Sequence, residues 1–195
     1  MTRRRRPSST LLFSVSGLVS LLIAGHELSY VSWRRAAAPV DGPLVIRKDA
    51  KGDGRFQAPR SGNRRHRGID LAAALGSPVR AFRSGRVSHV GTHKGFGRFV
   101  ELTHSSGVRS LYAHLQDVAV KDHQRIRQGD LIGTVGKTGN ARHPSITPHV
   151  HFEVLRDGTP VDPAKMGLAL QGHLHESVMP ADDSPFEETD AAGGD

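Results

Sequence analysis

Two histidines set two apart, in Pro148-His149-Val150-His151-Phe152-Glu153-Val154, are the residues of this chain best suited to chemistry. Val150, Phe152 and Val154 alternate with His149, His151 and Glu153, the pattern of a β-strand. Side chains two apart on a strand share a face, so the two imidazoles stand side by side. They can share a metal, or one can bind metal while the other moves protons. Upstream, His66-Arg67-Gly68-Ile69-Asp70 offers a histidine and a carboxylate four apart, able to fold back onto one metal where the chain turns at Gly68. Zinc accepts both donor types; three protein ligands with one open position make a catalytic site, four a structural one. Between these stretches lies Tyr112-Ala113-His114-Leu115. With twelve histidines in the chain, each pairing alone is weak. Their order along one β-rich background is what gives them weight.

The segments that must position these groups are short and β-like: 44–46, 79–82, 86–90, 98–103, 108–114, 131–135 and 149–155. Glycine-rich turns separate them, and 118–127 alone reads ambiguously. No sustained helical stripe interrupts the series. The expectation is a mostly β domain, an antiparallel sandwich or open barrel with long loops around the site.

At 195 residues the chain fits one domain with tails. It has no cysteine, which excludes disulfides, thiolate zinc sites, a catalytic thiol and a lipid-modified cysteine. The net charge of +8 favours an anionic partner. Four arginines at 3–6 precede an uncharged apolar run over 11–25, the order of a signal peptide or a single N-terminal membrane anchor. The later pair Arg34 and Arg35 carries less positive charge, so the N-terminus stays cytoplasmic and the body is exported. A nucleic-acid-binding arm would not carry such an apolar run, and aromatic-basic interleaving is lacking in the body. The expected organisation is a signal or anchor over 1–33, a linker over 34–41, the domain over 42–166 and a disordered acidic tail over 167–195.

His66-x-x-x-Asp70, Tyr112-Ala113-His114-Leu115, Gly136-Lys137-Thr138-Gly139 and His149-Val150-His151-Phe152-Glu153, in that order, resemble the lysostaphin/LytM-like zinc metallopeptidases. Gly129-Asp130-Leu131-Ile132-Gly133 and Gly158-Thr159-Pro160-Val161-Asp162-Pro163 extend the resemblance, which covers about 53–163. It implies zinc held by His66, Asp70 and His151, with His114 and His149 as unliganded catalytic histidines. It also implies a periplasmic or envelope-anchored endopeptidase acting on peptidoglycan stem peptides, typically at D-alanyl–diaminopimelate cross-links. The alternative is a non-catalytic envelope module that binds wall peptides or activates another hydrolase, and such members usually lack some of these five residues. The loop 140–148 is longer and more basic than in many members. His173-Leu174-His175-Glu176 imitates the central pair but lies past the domain, and His89, His93, His104, His123 and His143 read as ordinary polar residues.

Overall fold

The computed structural model describes residues 36–171. The signal or anchor segment, the bulk of the acidic tail and the His173-x-His175 imitation lie outside the described residues. Eight strands carry the architecture: β1 (Ile69–Ala72), β2 (Pro78–Arg80), β3 (Gly85–His93), β4 (Gly97–Thr103), β5 (Val108–Val118), β6 (Leu131–Val135), β7 (His149–Arg156) and β8 (Thr159–Val161). With the short strand Arg125–Ile126 they form one nine-stranded antiparallel sheet.

Strand β5 is its trunk. One edge pairs with β4; the other is shared, β7 running along 108–113 and β6 along 115–118. β7 in turn pairs with β1 and β8 on its far side. The sheet therefore branches and does not close into a barrel, and the expectation of an antiparallel β-domain holds. Short hairpins, Lys48–Asp49 with Gly52–Asp53 and Pro59–Arg60 with Arg64–Arg65, lie before β1.

The alternation read in β7 is there, but burial is not one-sided. Val150, Phe152 and Val154 face the core, and His149, His151 and Glu153 are buried as well. Rings of Phe82, Tyr112 and Phe152 form the core's centre, with Phe152 5.4 Å from Phe82 and 5.1 Å from Tyr112. Deleting such a ring costs about 3–5 kcal/mol, so Phe152 anchors the strand that bears both central histidines.

Packing begins ahead of Gly42, within the stretch expected to be a linker. The Ala37 N–H donates to the Phe82 carbonyl at 2.9 Å, and Val40 is 1% exposed and bridged to Val79. Packing also extends past residue 166, because Leu170 is buried and pairs in parallel with Leu44. Apolar residues spaced too sparsely for a sequence pattern fill these edges.

His104, read as an ordinary polar residue, is buried. Its Nδ1–H donates to the Ser84 carbonyl at 2.9 Å, so Nε2 of the neutral ring accepts from Ser110 Oγ at 2.8 Å. Ser110 and Tyr112 hydroxyls lie 3.1 Å apart, and Tyr112 Oη accepts the Phe82 N–H at 2.8 Å. Every member of this core network has a partner. Burial, aided by the Arg83 charge, lowers the His104 pKa to about 4. The unfolded chain takes that proton near pH 6.5, so the stability His104 contributes is complete above pH 6.5 and is lost as pH falls toward 4. In chelator-treated protein, His104→Gln is expected to unfold at lower temperature than wild type at pH 7, with the gap narrowing by pH 4.5. A gap independent of pH in thermal melts would refute this.

Candidate metal centre

Register places the groups. In the β1–β7 ladder His151 stands opposite Asp70, and in the β5–β7 ladder it stands opposite Ala113. Asp70 and His114 are thereby brought to the two sides of one imidazole. His66 arrives from the stretch before β1. There Gly68 passes so close to Phe152 that a Cβ would collide with its carbonyl, so a side chain is excluded. Gly68 thus serves close approach to β7 rather than the turn expected from its place between His66 and Asp70.

His66 Nε2, Asp70 Oδ1 and His151 Nδ1 converge. Nε2 lies 3.0 Å from His151 Nδ1 and 3.2 Å from Asp70 Oδ1, and Nδ1 lies 2.8 Å from Oδ1. All three residues are buried, and they form the one such His/Asp group found among the described residues. Their outer atoms are also fixed. His66 Nδ1–H donates to the Arg55 carbonyl at 2.9 Å, His151 Nε2–H donates to Glu153 Oε1 at 3.0 Å, and Asp70 Oδ2 accepts from Arg47 Nη2 at 2.9 Å. Such outer bonds set the tautomer and orientation of metal-binding side chains. The remaining inner atoms are three acceptors facing one another, an arrangement that requires something positive between them.

Without metal that charge is a proton. Burial opposes charge on His151, but hydrogen bonds to Asp70 and Glu153 and their negative charges win, raising its pKa to about 9. Asp70 is held well below the usual carboxylate range: burial opposes this, and bonds to His151 and His66 outweigh it. Two nitrogens and one carboxylate oxygen, buried and pre-oriented, fit a zinc ion with an open fourth position.

His114 and His149 complete the group. Their ring centroids are 4.9 Å apart, and His149 Nε2 lies 3.9 Å from Asp70 Oδ1. A bulge in the β4–β5 ladder swings His114 out of register, with φ of 64°. Its Nδ1–H donates to the Thr138 carbonyl at 3.0 Å; that of His149 donates to the Thr147 carbonyl at 2.7 Å. In each neutral ring Nε2 is therefore the lone-pair nitrogen. Burial lowers both pKa values, that of His114 to about 3 with help from the neighbouring histidine charges. Phe96 stacks on His151 at 5.7 Å and walls the site.

All five residues singled out from the sequence thus meet. Glu153, Thr138, Thr147, Arg47 and Phe96 were not assigned roles. Glu153 had a signal, two residues beyond His151 on the same strand face; the others act largely through backbone atoms or distant pairing.

Residues 64–163, just over half of the chain, match the model of peptidase family M23. The chain belongs to that family. Its M23 domain is 41% identical over 105 residues to the DD-carboxypeptidase/endopeptidase Mpg of Neisseria meningitidis, covering 54% of this chain and 23% of that protein. Among solved structures it is similar to a zinc-containing peptidase from Vibrio cholerae, with 30% identity, a TM-score of 0.51, and 68% and 41% of the two chains covered. It is also similar to the catalytic domain of the antimicrobial peptidase lysostaphin from Staphylococcus simulans, with 31% identity, a TM-score of 0.50, and 60% and 90% covered. The chain spans about a quarter of the length of the Neisseria protein. The resemblance to lysostaphin-like peptidases read from the motifs is borne out.

Because the His151 pKa of about 9 lies above neutrality, the metal-free site carries a proton at pH 7 that an entering cation must displace. Zinc uptake at pH 7 is expected to release about one proton per ion, with affinity rising roughly tenfold per pH unit up to pH 9. Calorimetry in buffers of different ionisation enthalpy measures this; uptake without proton release contradicts it.

Proposed function

We propose that this M23 protein is a zinc-dependent endopeptidase that hydrolyses peptide cross-links of bacterial peptidoglycan in the cell envelope. The observation that carries the reading is the coexistence of a three-donor site with two unliganded histidines whose lone-pair nitrogens are both fixed by backbone carbonyls. A purely structural metal site would need a fourth protein ligand and no such pair. Relatives named as peptidoglycan DD-endopeptidases support the substrate class. So does charge: Arg55, Arg64, Arg65 and Arg67 are exposed around His66, suited to the carboxylates of stem peptides.

His66, Asp70 and His151 hold the ion in this reading. Zinc supplies Lewis acidity there, bringing the pKa of water toward ~7 and polarising the scissile carbonyl. His149, whose Nε2 faces Asp70 Oδ1, accepts the proton of the attacking water. The same proton passes from His149 Nε2 to the leaving amine as the C–N bond breaks, while His114, edge-on to His149, orients the attacking water through its Nε2 lone pair. Burial disfavours the charged form of both rings, so a proton taken up is passed on rather than retained. Phe96 shields one side from solvent.

Purified protein is expected to clear peptidoglycan in a zymogram, with clearing abolished by chelator and by His66→Ala. His149→Ala and His114→Ala are expected to keep one zinc per chain while kcat falls about 10²–10⁴-fold. Mass spectrometry of the released muropeptides identifies the bond cut. Wall binding without clearing by the zinc-loaded wild type selects the non-catalytic module instead.

A further inference from the structure

The segment before β1 carries a buried cation that serves no apolar core. Arg47 is 6% exposed, and its guanidinium forks between two acids. Nη2 donates to Asp70 Oδ2 at 2.9 Å, and Nη1 donates to Asp49 Oδ1 at 2.7 Å. Asp49 then crosses 98 residues of sequence: its Oδ2 accepts the Thr147 N–H at 2.9 Å. The carbonyl of that same Thr147 accepts the Nδ1–H of His149 at 2.7 Å. A path of charged and peptide hydrogen bonds, continued through the backbone of Thr147 itself, therefore runs from the candidate metal-binding carboxylate to the candidate proton-transfer histidine.

We propose that Arg47 and Asp49 are positioning residues, a charged strap that aims Asp70 Oδ1 at the metal and sets His149 through Thr147. The proposal rests on the zinc-peptidase reading and adds to it two residues outside the five already assigned.

Geometry and cost both support the strap. A carboxylate with one oxygen held by a guanidinium presents only the other, which favours single-oxygen ligation. Arg60 adds a longer contact to the same Oδ2 at 3.4 Å. The main chain doubles the connection, since Arg47 N–H donates to the Asp70 carbonyl at 2.8 Å. Arg47 Nε, however, is buried with no partner. Stability alone does not explain retaining an incompletely satisfied buried guanidinium, because buried ion pairs seldom outperform apolar packing. Asp49 remains ionised: burial opposes its charge, but bonds from Arg47 and from the Thr147 and Lys51 N–H groups hold its pKa below the usual range. At the far end, the loop 140–148 makes its own short-range ties, Ile146 N–H to the His143 carbonyl and Lys137 Nζ to the Pro144 carbonyl. Its ends are tied further off, the Asn140 N–H to the Gly95 carbonyl and the Pro148 carbonyl to the Ala73 N–H, and Asp49 adds a charged side-chain tie from the segment that also grips Asp70.

The test separates the two ends of the strap. Arg47→Lys keeps the charge but loses the fork, and zinc affinity by chelator competition is expected to fall about 10–100-fold. Asp49→Asn keeps one acceptor oxygen where the carboxylate uses two to meet three donors, Arg47 Nη1, the Lys51 N–H and the Thr147 N–H, so one end of the strap must release. Zinc affinity is expected to stay within about threefold of wild type, kcat to fall about 10–100-fold with KM little changed, and the ring ¹⁵N resonances of His149 to move away from the pure Nδ1–H tautomer. Asp49→Ser provides a smaller replacement should the asparagine variant fold poorly. Folded variants with wild-type zinc affinity and an unmoved His149 spectrum would overturn the strap. So would tighter zinc binding by Arg47→Lys. Should the wild type cut no wall peptide, the reading of function fails, while zinc affinity and the His149 spectrum still decide the strap.

Discussion

Everything at this site depends on the pairing register of β7. His151 faces Asp70 across one ladder and Ala113 across the other, so three chain segments meet at a single imidazole. Because side chains alternate with a period of two, a slip by one residue would send His149, His151 and Glu153 to the opposite face and bring Val150, Phe152 and Val154 into the cleft. The register is held by that apolar face. Phe152 lies against Phe82 and Tyr112, and a slip would expose it. The core and the site are thus two faces of one strand, and neither can be altered independently.

Burying so much charge requires a neighbour of opposite sign for each ion. Two histidines and two carboxylates on β1 and β7 sit within the domain, and an unpaired charge at such depth costs several kcal/mol. The solution is a chain of opposite charges, Arg47, Asp70, His151 and Glu153 in turn, with Arg67 3.9 Å from Glu153 at its exposed end. Each member has a neighbour of opposite sign when His151 is protonated. A divalent cation bound here would take the place of the proton and leave the outer members in position, because those contact atoms that face away from the centre.

Much of this was legible in the residues. Strand 131–135 was read with its observed bounds, and β4, β5 and β7 were read to within a few residues, because their apolar residues alternate or run together between glycines. The convergence of His66, Asp70, His114, His149 and His151 was legible through motif resemblance, since spacing alone left each pair ambiguous. β1 carries no strand signal: Ile69-Asp70-Leu71-Ala72 is short and buried on both faces, so no alternation marks it. His104 is not distinguishable in sequence, because a buried imidazole and a surface one look alike until Ser84 and Ser110 are brought to it. Arg47 and Asp49 were invisible for a different reason. Their partners lie 23 and 98 residues away, and a charged residue in a short irregular segment normally signals solvent.

His114 shows how local disfavour and global fit are balanced. A non-glycine residue at φ of 64° costs of order 1–3 kcal/mol and persists only when surroundings over-determine it. Here its N–H donates to the Phe96 carbonyl at 2.8 Å, its ring to the Thr138 carbonyl, and the Thr138 hydroxyl to the Leu115 carbonyl next door. Gly97 and Gly139 pass so closely that a Cβ on either would strike the other strand or Thr138. Glycine at both positions lets the 136–139 turn press against β4, and that pressure puts the Thr138 carbonyl within reach of the imidazole. A regular β5 would have pointed residue 114 away from His149. The bulge, the two glycines and the threonine together exchange backbone regularity for a second nitrogen aimed into the site.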